Sequence, residues 1–357
     1  MKTIAVSAPG KLHLLGEHVV VYGKPAIIAA VNKRCFIDVA PRKDKKIEIV
    51  SHNLKIGKIT TEKEIIVKTK DAQIKWERYI KNNGISLLKS ITSDPLHFPV
   101  IVIGEAIKYF KKSLPVGFKL SIKSDIPIGS GMGSSAALAV SIAGALSILF
   151  TKKLNKEVIN EIAYLSEQKK HGFPSGGDNS ASCFGGLIWY RKETPDLKII
   201  KPVSFAFPKK LGKNFVAIHT GTPAESTGEM VSIVRALYKE KAEFVENILS
   251  SQEKLTRELL SAIKNDDDTL MIYIIKVGEK NLESLGVVSD LSKALIRDIG
   301  KKGGAAKICG AGGKQKSSGV VLAYHKNPEL LNDIAKHYSF SFEPIVLGAG
   351  GVREEII

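Results

Sequence analysis

Asp125-Ile-Pro-Ile-Gly-Ser-Gly-Met-Gly-Ser-Ser135 runs without a break into Ala136-Ala-Leu-Ala-Val-Ser-Ile-Ala-Gly-Ala-Leu-Ser-Ile-Leu-Phe150, and this junction organises the chain. The second half is of helix length and apolar on every side, so the helix it predicts belongs at the centre of a folded body. The loop before it is therefore seated on a rigid, buried element. Glycines at 129, 131 and 133 let the backbone turn with no β-carbon in the way, so several N–H groups can converge on one anion. The helix start adds unpaired first-turn N–H groups and the positive end of its dipole. Ser134 and Ser135 are placed to cap the helix, or to reach a phosphate or a magnesium ion. No lysine precedes them, which separates the segment from the ordinary P-loop ending in Gly-Lys-Ser/Thr.

Upstream, residues 3 to 8 read as a short apolar strand leading into a turn at Pro9-Gly10. Ala26 to Val31 and the alternation from Cys35 to Val39 predict further strands. From Arg42 to Lys75, lysines interleave with β-branched residues in short runs, the pattern of exposed hairpins. A helix is predicted from about Phe98 to Lys111, a strand from Gly117 to Lys123, and a helix from an Asn155 cap to Lys169. His171-Gly-Phe-Pro-Ser-Gly-Gly-Asp178 then interrupts as a loop, and Gly185 to Tyr190 reads as a strand. After Lys192 the texture changes. A proline- and lysine-containing stretch leads to a strand at Phe215 to Ile218, then helical periodicity runs from Thr227 to Ile299. A second glycine loop spans 303–313, with strands at 319–324 and 342–347. The change sets an expected division into a first unit of residues 1–190, carrying the first glycine loop, and a second of residues 191–357.

Composition narrows the function classes. Lysine plus arginine is 53 against 36 for aspartate plus glutamate, a formal charge of +17 that would draw anionic metabolites or nucleic acid. The lysines are dispersed, however, and aromatics are only 7%, so no stacking platform for bases is expected and no nucleic-acid partner. Cys35, Cys183 and Cys309 are odd in number and irregularly spaced, giving neither a disulfide framework nor a metal knuckle. The opening MKTIAVSAPGK has no apolar run of signal length, and no uncharged stretch reads as long enough to cross a bilayer. The expectation is a cytoplasmic protein with no membrane partner and a small-molecule substrate.

Beyond the glycine loop, a few polar residues stand out. Asp178 follows two glycines that bring backbone close to a ligand, and a carboxylate there could orient and partly deprotonate a substrate hydroxyl. Lys11 is the cation suited to keep it ionised and to neutralise charge on a phosphoryl group in transit. Glu167, late on its predicted helix, needs a counterion. A magnesium ion on nucleotide phosphates would supply one; a surface lysine is the alternative. Glu17 and His18 follow an apolar run and could face a ligand, while His171 is placed to cap the helix before it.

Three blocks taken together resemble the GHMP kinases, the family of galactokinase, homoserine kinase, mevalonate kinase and phosphomevalonate kinase. They are Ser7-Ala-Pro-Gly-Lys-Leu-His-Leu-Leu-Gly-Glu-His-Val-Val-Val-Tyr-Gly23, Pro127-Ile-Gly-Ser-Gly-Met-Gly-Ser-Ser-Ala-Ala137 and Lys307-Ile-Cys-Gly-Ala-Gly-Gly313. They stand in the family's order, and the resemblance spans the chain. It implies an α/β (α+β) fold of two domains, mixed sheets with packed helices and an active site in the cleft between them. It implies transfer of the terminal phosphoryl of ATP, with Mg2+, to a small alcohol. Within the family, the first block and residues 171–179 are most similar to the mevalonate kinases, which implies phosphorylation of the C5 hydroxyl of mevalonate in isoprenoid synthesis. By the same resemblance Asp178 is the catalytic carboxylate, Lys11 its charge-stabilising neighbour, and Glu167 and Ser135 the magnesium-holding pair. Pro127, Gly129, Ser130, Gly131, Met132, Gly133, Ser134, Ser135 and Ala136 wrap the nucleotide phosphates. Glu17 and His18 lie by the acceptor, with Thr220 and Thr222 lining the same pocket. Related kinases are often dimers, which implies a homodimer.

The chain departs from the family pattern twice. The third block continues as Lys314-Gln-Lys316 where more glycines are usual, so either the loop bulges outward or a lysine reaches the phosphates. Ala224 and Glu225 stand near where mevalonate kinases often carry an arginine by the acceptor, and a glutamate there repels a substrate carboxylate unless it points away. These departures leave transfer from ATP intact and bear on the acceptor, so the alternatives are a sibling kinase acting on phosphomevalonate, a sugar or another hydroxy acid, and an ATP-consuming decarboxylase. The +17 charge alone suggests a third, a nucleic-acid-binding or sensor protein on the same scaffold.

Overall fold

A computed structural model describes residues 2–82, 85–127, 129–194 and 197–356. In chain order its elements are β1 (Ile4–Leu15), β2 (Ala26–Pro41), β3 (Lys46–Ser51), β4 (Ile56–Thr61), α1 (Glu62–Asn82), α2 (Ile85–Ile91), α3 (His97–Phe110) and β5 (Phe118–Ser124). There follow α4 (Ser134–Thr151), α5 (Lys156–His171), α6 (Gly177–Phe184), β6 (Leu187–Lys192), β7 (Lys198–Pro202), α7 (Lys209–Gly212) and β8 (Phe215–His219). The chain ends with α8 (Thr227–Glu240), α9 (Ala242–Lys264), α10 (Asp268–Ser284), α11 (Asp290–Lys301), β9 (Ala305–Ile308), β10 (Val320–Tyr324), α12 (Glu329–His337), β11 (Ser341–Pro344) and β12 (Arg353–Glu354).

Two mixed α/β layers result. The larger sheet runs β12-β1-β2-β5-β3-β4, antiparallel except for the parallel pair β3–β5. β2 is long enough to serve two neighbours: its residues from Cys35 pair with β5, and Ala26 to Ala29 pair with β6, which carries β7. The sheet therefore draws strands from both sides of residue 190. The smaller sheet, β11-β8-β10-β9, is antiparallel throughout. Along β8 the side chains alternate between two cores. Phe215 and Ala217 join the main apolar cluster with β1, β2 and α4, while Val216 and Ile218 face a second cluster with Met230, Leu249 and Leu295.

α4 packs on β1, β2, α3 and α5. Its 18 residues have a mean hydropathy of 1.8, which does meet the length and composition of a membrane span, contrary to the sequence reading. With 72% of it buried inside the fold, it is the core helix that its all-round apolarity predicts.

Two local expectations fail for identifiable reasons. Pro9-Gly10 is a bulge inside one long strand, and no turn forms there: the β1–β2 register slips between Pro9 and Lys11. The freed Lys11 amide donates instead to the Met132 carbonyl at 2.9 Å, tying the strand to the glycine loop. A side chain at Gly10 would meet that same carbonyl at 2.7 Å. The hairpin expected over residues 42–75 ends at Thr61, and the rest is α1. Its start is a reciprocal cap in which the Glu64 amide donates to Thr61 and the Thr61 amide donates to the Glu64 carboxylate. Ile65, Thr69 and Ala72 then form its buried stripe.

Candidate active site

The three glycines of the 129–133 loop all take positive φ, at 75°, 79° and 71°. Gly133 is itself the N-cap of α4 and no side chain caps the helix, so the expected capping by Ser134 or Ser135 does not occur. The first-turn amides are left for a ligand. A β-carbon on Gly133 would sit 2.8 Å from the Lys11 stem, so the loop and that lysine pack directly on each other. Ser130 closes the turn by donating to the Pro127 carbonyl at 2.8 Å. Met132 is buried beneath it.

Lys11 and Asp178, distant in sequence, meet at 3.0 Å. Lys11 is buried, whereas the Asp178 side chain remains 37% exposed in the first turn of α6. Crowding by protein alone would push the Asp178 carboxyl up. The Lys11 ammonium and His13, whose Nε2 lies 3.6 Å from the other carboxylate oxygen, outweigh it and hold the group well below the usual carboxylate range. His13 is the residue that sequence reading missed. Period-two alternation in a strand places positions 11 and 13 on one face, and that was the available signal.

Ser135 turns away from the helix end and donates to Glu167 Oε2 at 3.2 Å, with His171 Nε2 also 3.2 Å from the hydroxyl. Burial pushes Glu167 up to about 7, only partly countered by Lys170, and drives His171 down to about 4. Glu167 Oε1 is buried and finds no hydrogen-bond partner among the described residues. A hard divalent cation fits this pair, since one carboxylate and a hydroxyl suffice when nucleotide phosphates and water complete the shell.

Glu17 and His18 take partners in the third block. His18, at a positive φ of 62°, donates from Nε2 to the Ala311 carbonyl at 2.9 Å, and burial lowers its pKa. Glu17 is 2.5 Å from Lys307, which also donates to the Ile308 carbonyl. Glu279 accepts from the Ile308 amide at 3.0 Å, and burial pushes it up to about 8. Lys307 and Glu279 had no role in the sequence reading.

That glutamate makes stability pH-dependent in a definite sense. Across the window from its ordinary 4.5 to about 8, Glu279 is protonated in the folded chain and ionised in the unfolded one. The contribution is complete below 4.5 and is lost as pH rises through 8. Glu167 acts in the same direction up to about 7. The depressed His171 and His18 oppose this trend below pH 6.5, so the thermal midpoint of the ligand-free protein is expected to fall between pH 6.5 and pH 8, and Glu279→Gln to flatten the slope. A midpoint that climbs over this range contradicts the assignment.

Thr220 and Thr222 separate. Thr220 is buried, donating to the Gly319 carbonyl at 2.8 Å and accepting from Ser318 N–H. Thr222 is exposed and lines a cavity of about 370 Å3 whose opposite wall is Pro127, Gly129 and Ser130. Glu225 points into the third block, accepting from the Gln315 amide at 3.1 Å. Lys314 and Lys316 are exposed. Gly131 faces the Cys309 carbonyl, completing contact among all three blocks.

Known proteins resemble the chain over most of its length. The family described as the GHMP kinases N terminal domain matches residues 101–186. The mevalonate kinase of Pyrococcus furiosus is 33% identical, the match covering 88% of this chain and 87% of that protein. That of Archaeoglobus fulgidus is 30% identical over 86% and 88%. The crystal structure of the Methanococcus jannaschii mevalonate kinase superposes with a TM-score of 0.77 at 22% identity, covering 97% and 98%. The Lactococcus lactis galactokinase, solved with galactose, gives 0.72 at 19%, covering 99% and 95%.

Proposed function

The chain belongs to the GHMP kinase family and is a small-molecule kinase, and from that premise we propose that it phosphorylates the C5 hydroxyl of mevalonate, yielding 5-phosphomevalonate and ADP. The observation that carries the reading is the 3.0 Å contact of Lys11 with Asp178 beside an uncapped helix start. Matches to mevalonate kinases from several organisms support the acceptor. The hydrogen bond from the Gln315 amide, which turns the Glu225 carboxylate toward its own loop, supports it too, by easing the repulsion its charge would exert on an acid.

In this reading ATP lies with its phosphates on the amides of residues 129–136. Ser135 and Glu167 hold Mg2+, which when bound supplies charge neutralisation on the phosphates. Asp178 accepts a hydrogen bond from the acceptor hydroxyl and aims its oxygen at the γ-phosphorus. The new O–P bond forms as the bridging P–O bond to ADP breaks, and the hydroxyl proton passes late to the Asp178 carboxylate, as suits a loose transition state. Lys11 stabilises charge on the phosphoryl group in flight.

ADP formation with mevalonate, phosphomevalonate, galactose and homoserine tests the acceptor. Mevalonate is expected to give the highest kcat/KM by at least tenfold. Preference for the phosphorylated acceptor, or release of carbon dioxide, would replace this reading with a sibling activity.

A further inference from the structure

We propose that His13 is a positioning residue for Asp178, gripping the carboxylate oxygen that Lys11 leaves free. The proposal rests on the reading of Asp178 as the carboxylate that meets the acceptor. Lys11 holds Oδ2 at 3.0 Å, and His13 Nε2 stands 3.6 Å from Oδ1. That separation is longer than a settled hydrogen bond, and catalytic contacts of this kind close when substrate arrives.

The backbone that carries the pair is stiffly placed. Lys11, Leu12 and His13 pair in regular register with Ala30, Ala29 and Ile28, between two bulges at Pro9/Lys11 and His13/Leu15. The His13 carbonyl accepts from the Cys309 thiol at 3.5 Å, which anchors it to the third block as well. The ring is mostly enclosed, and its Nδ1 is buried with no partner among the described residues. An enclosed imidazole with one orphaned nitrogen carries a desolvation cost. Asp178 is the polar group that Nε2 faces, and it is the neighbour that can offset that cost. A carboxylate held at one oxygen swivels about its Cβ–Cγ bond. A donor at each oxygen stops the swivel and turns the remaining lone pairs toward the cleft, where the acceptor hydroxyl arrives.

Steady-state kinetics of the protein with ATP and mevalonate test this, comparing His13→Leu, His13→Gln and Asp178→Asn. His13→Leu is expected to lower kcat by about ten- to hundredfold, the scale of a misaimed reacting group, with the KM for ATP within twofold of wild type. His13→Gln, whose amide nitrogen reaches the place of Nε2 and keeps an N–H donor there, is expected to recover most of that loss. Wild-type kcat in His13→Leu beside an inactive Asp178→Asn would overturn the role of His13 and leave that of Asp178 standing. Equal losses in His13→Leu and His13→Gln would overturn it too, marking simple packing. Activity in Asp178→Asn would remove the premise itself. A readout independent of the acceptor is the ring 15N spectrum of His13, which is expected to shift in Asp178→Asn. Unmoved signals would overturn the contact.

Discussion

Asp178→Asn is expected to lower kcat by about 10²–10⁴-fold, the range for removing a positioned proton-handling group, while nucleotide still binds. The substitution keeps the side chain's shape and removes its charge, so the acceptor hydroxyl loses its acceptor of choice. It also strands Lys11, which is buried and 3.0 Å from the lost charge. Stability is therefore expected to drop as well, because an uncompensated buried charge is costly. Titration with ATP or a non-hydrolysable analogue separates the two effects: affinity close to wild type with turnover abolished supports the role, since the proposed phosphate cradle on residues 129–136 does not include Asp178. Near-normal turnover would end the mechanistic reading.

Lys307→Met should produce the largest loss of stability, about 3–5 kcal/mol, the usual cost of breaking a fully buried ion pair from one side. Lys307 Nζ and Glu17 Oε1 are almost wholly enclosed and 2.5 Å apart, and Glu17 Oε2 has no hydrogen-bond partner among the described residues. Removing the ammonium leaves that carboxylate in a low-dielectric site with nothing to balance it. Removing both charges takes the penalty away, so the double variant Glu17→Gln, Lys307→Met is expected to regain most of the lost stability. Urea unfolding of the two single variants and the double variant measures this coupling. Costs that simply add would show that the pair does not act as a unit.

Much of the architecture was legible one element at a time. The apolar run 136–150 is a core helix because no face of it tolerates water, and Asn155 caps α5 by accepting from the Val158 amide. The strands at 117–123, 185–190, 215–218 and 319–324 each fall within a residue or two of their observed partners. Errors came where a local rule met a tertiary demand. Pro9-Gly10 has turn chemistry, yet the bulge there serves to send an amide to the glycine loop. The lysine-rich residues after Thr61 obscured a helical stripe that becomes apparent once α3 covers it.

The same division runs through the site. Composition and pattern alone determined that a glycine loop opens a buried helix, that the cysteines form no framework, and that carboxylates at 167 and 178 flank a tight loop, because each depends only on neighbours along the chain. Which groups meet was decided by the fold. A bulged strand and a short helix bring Lys11 and His13 to opposite oxygens of Asp178, and the third block closes on Glu17 and His18 through Lys307 and Ala311. Such contacts depend on strand register and helix placement, set by burial of the whole core.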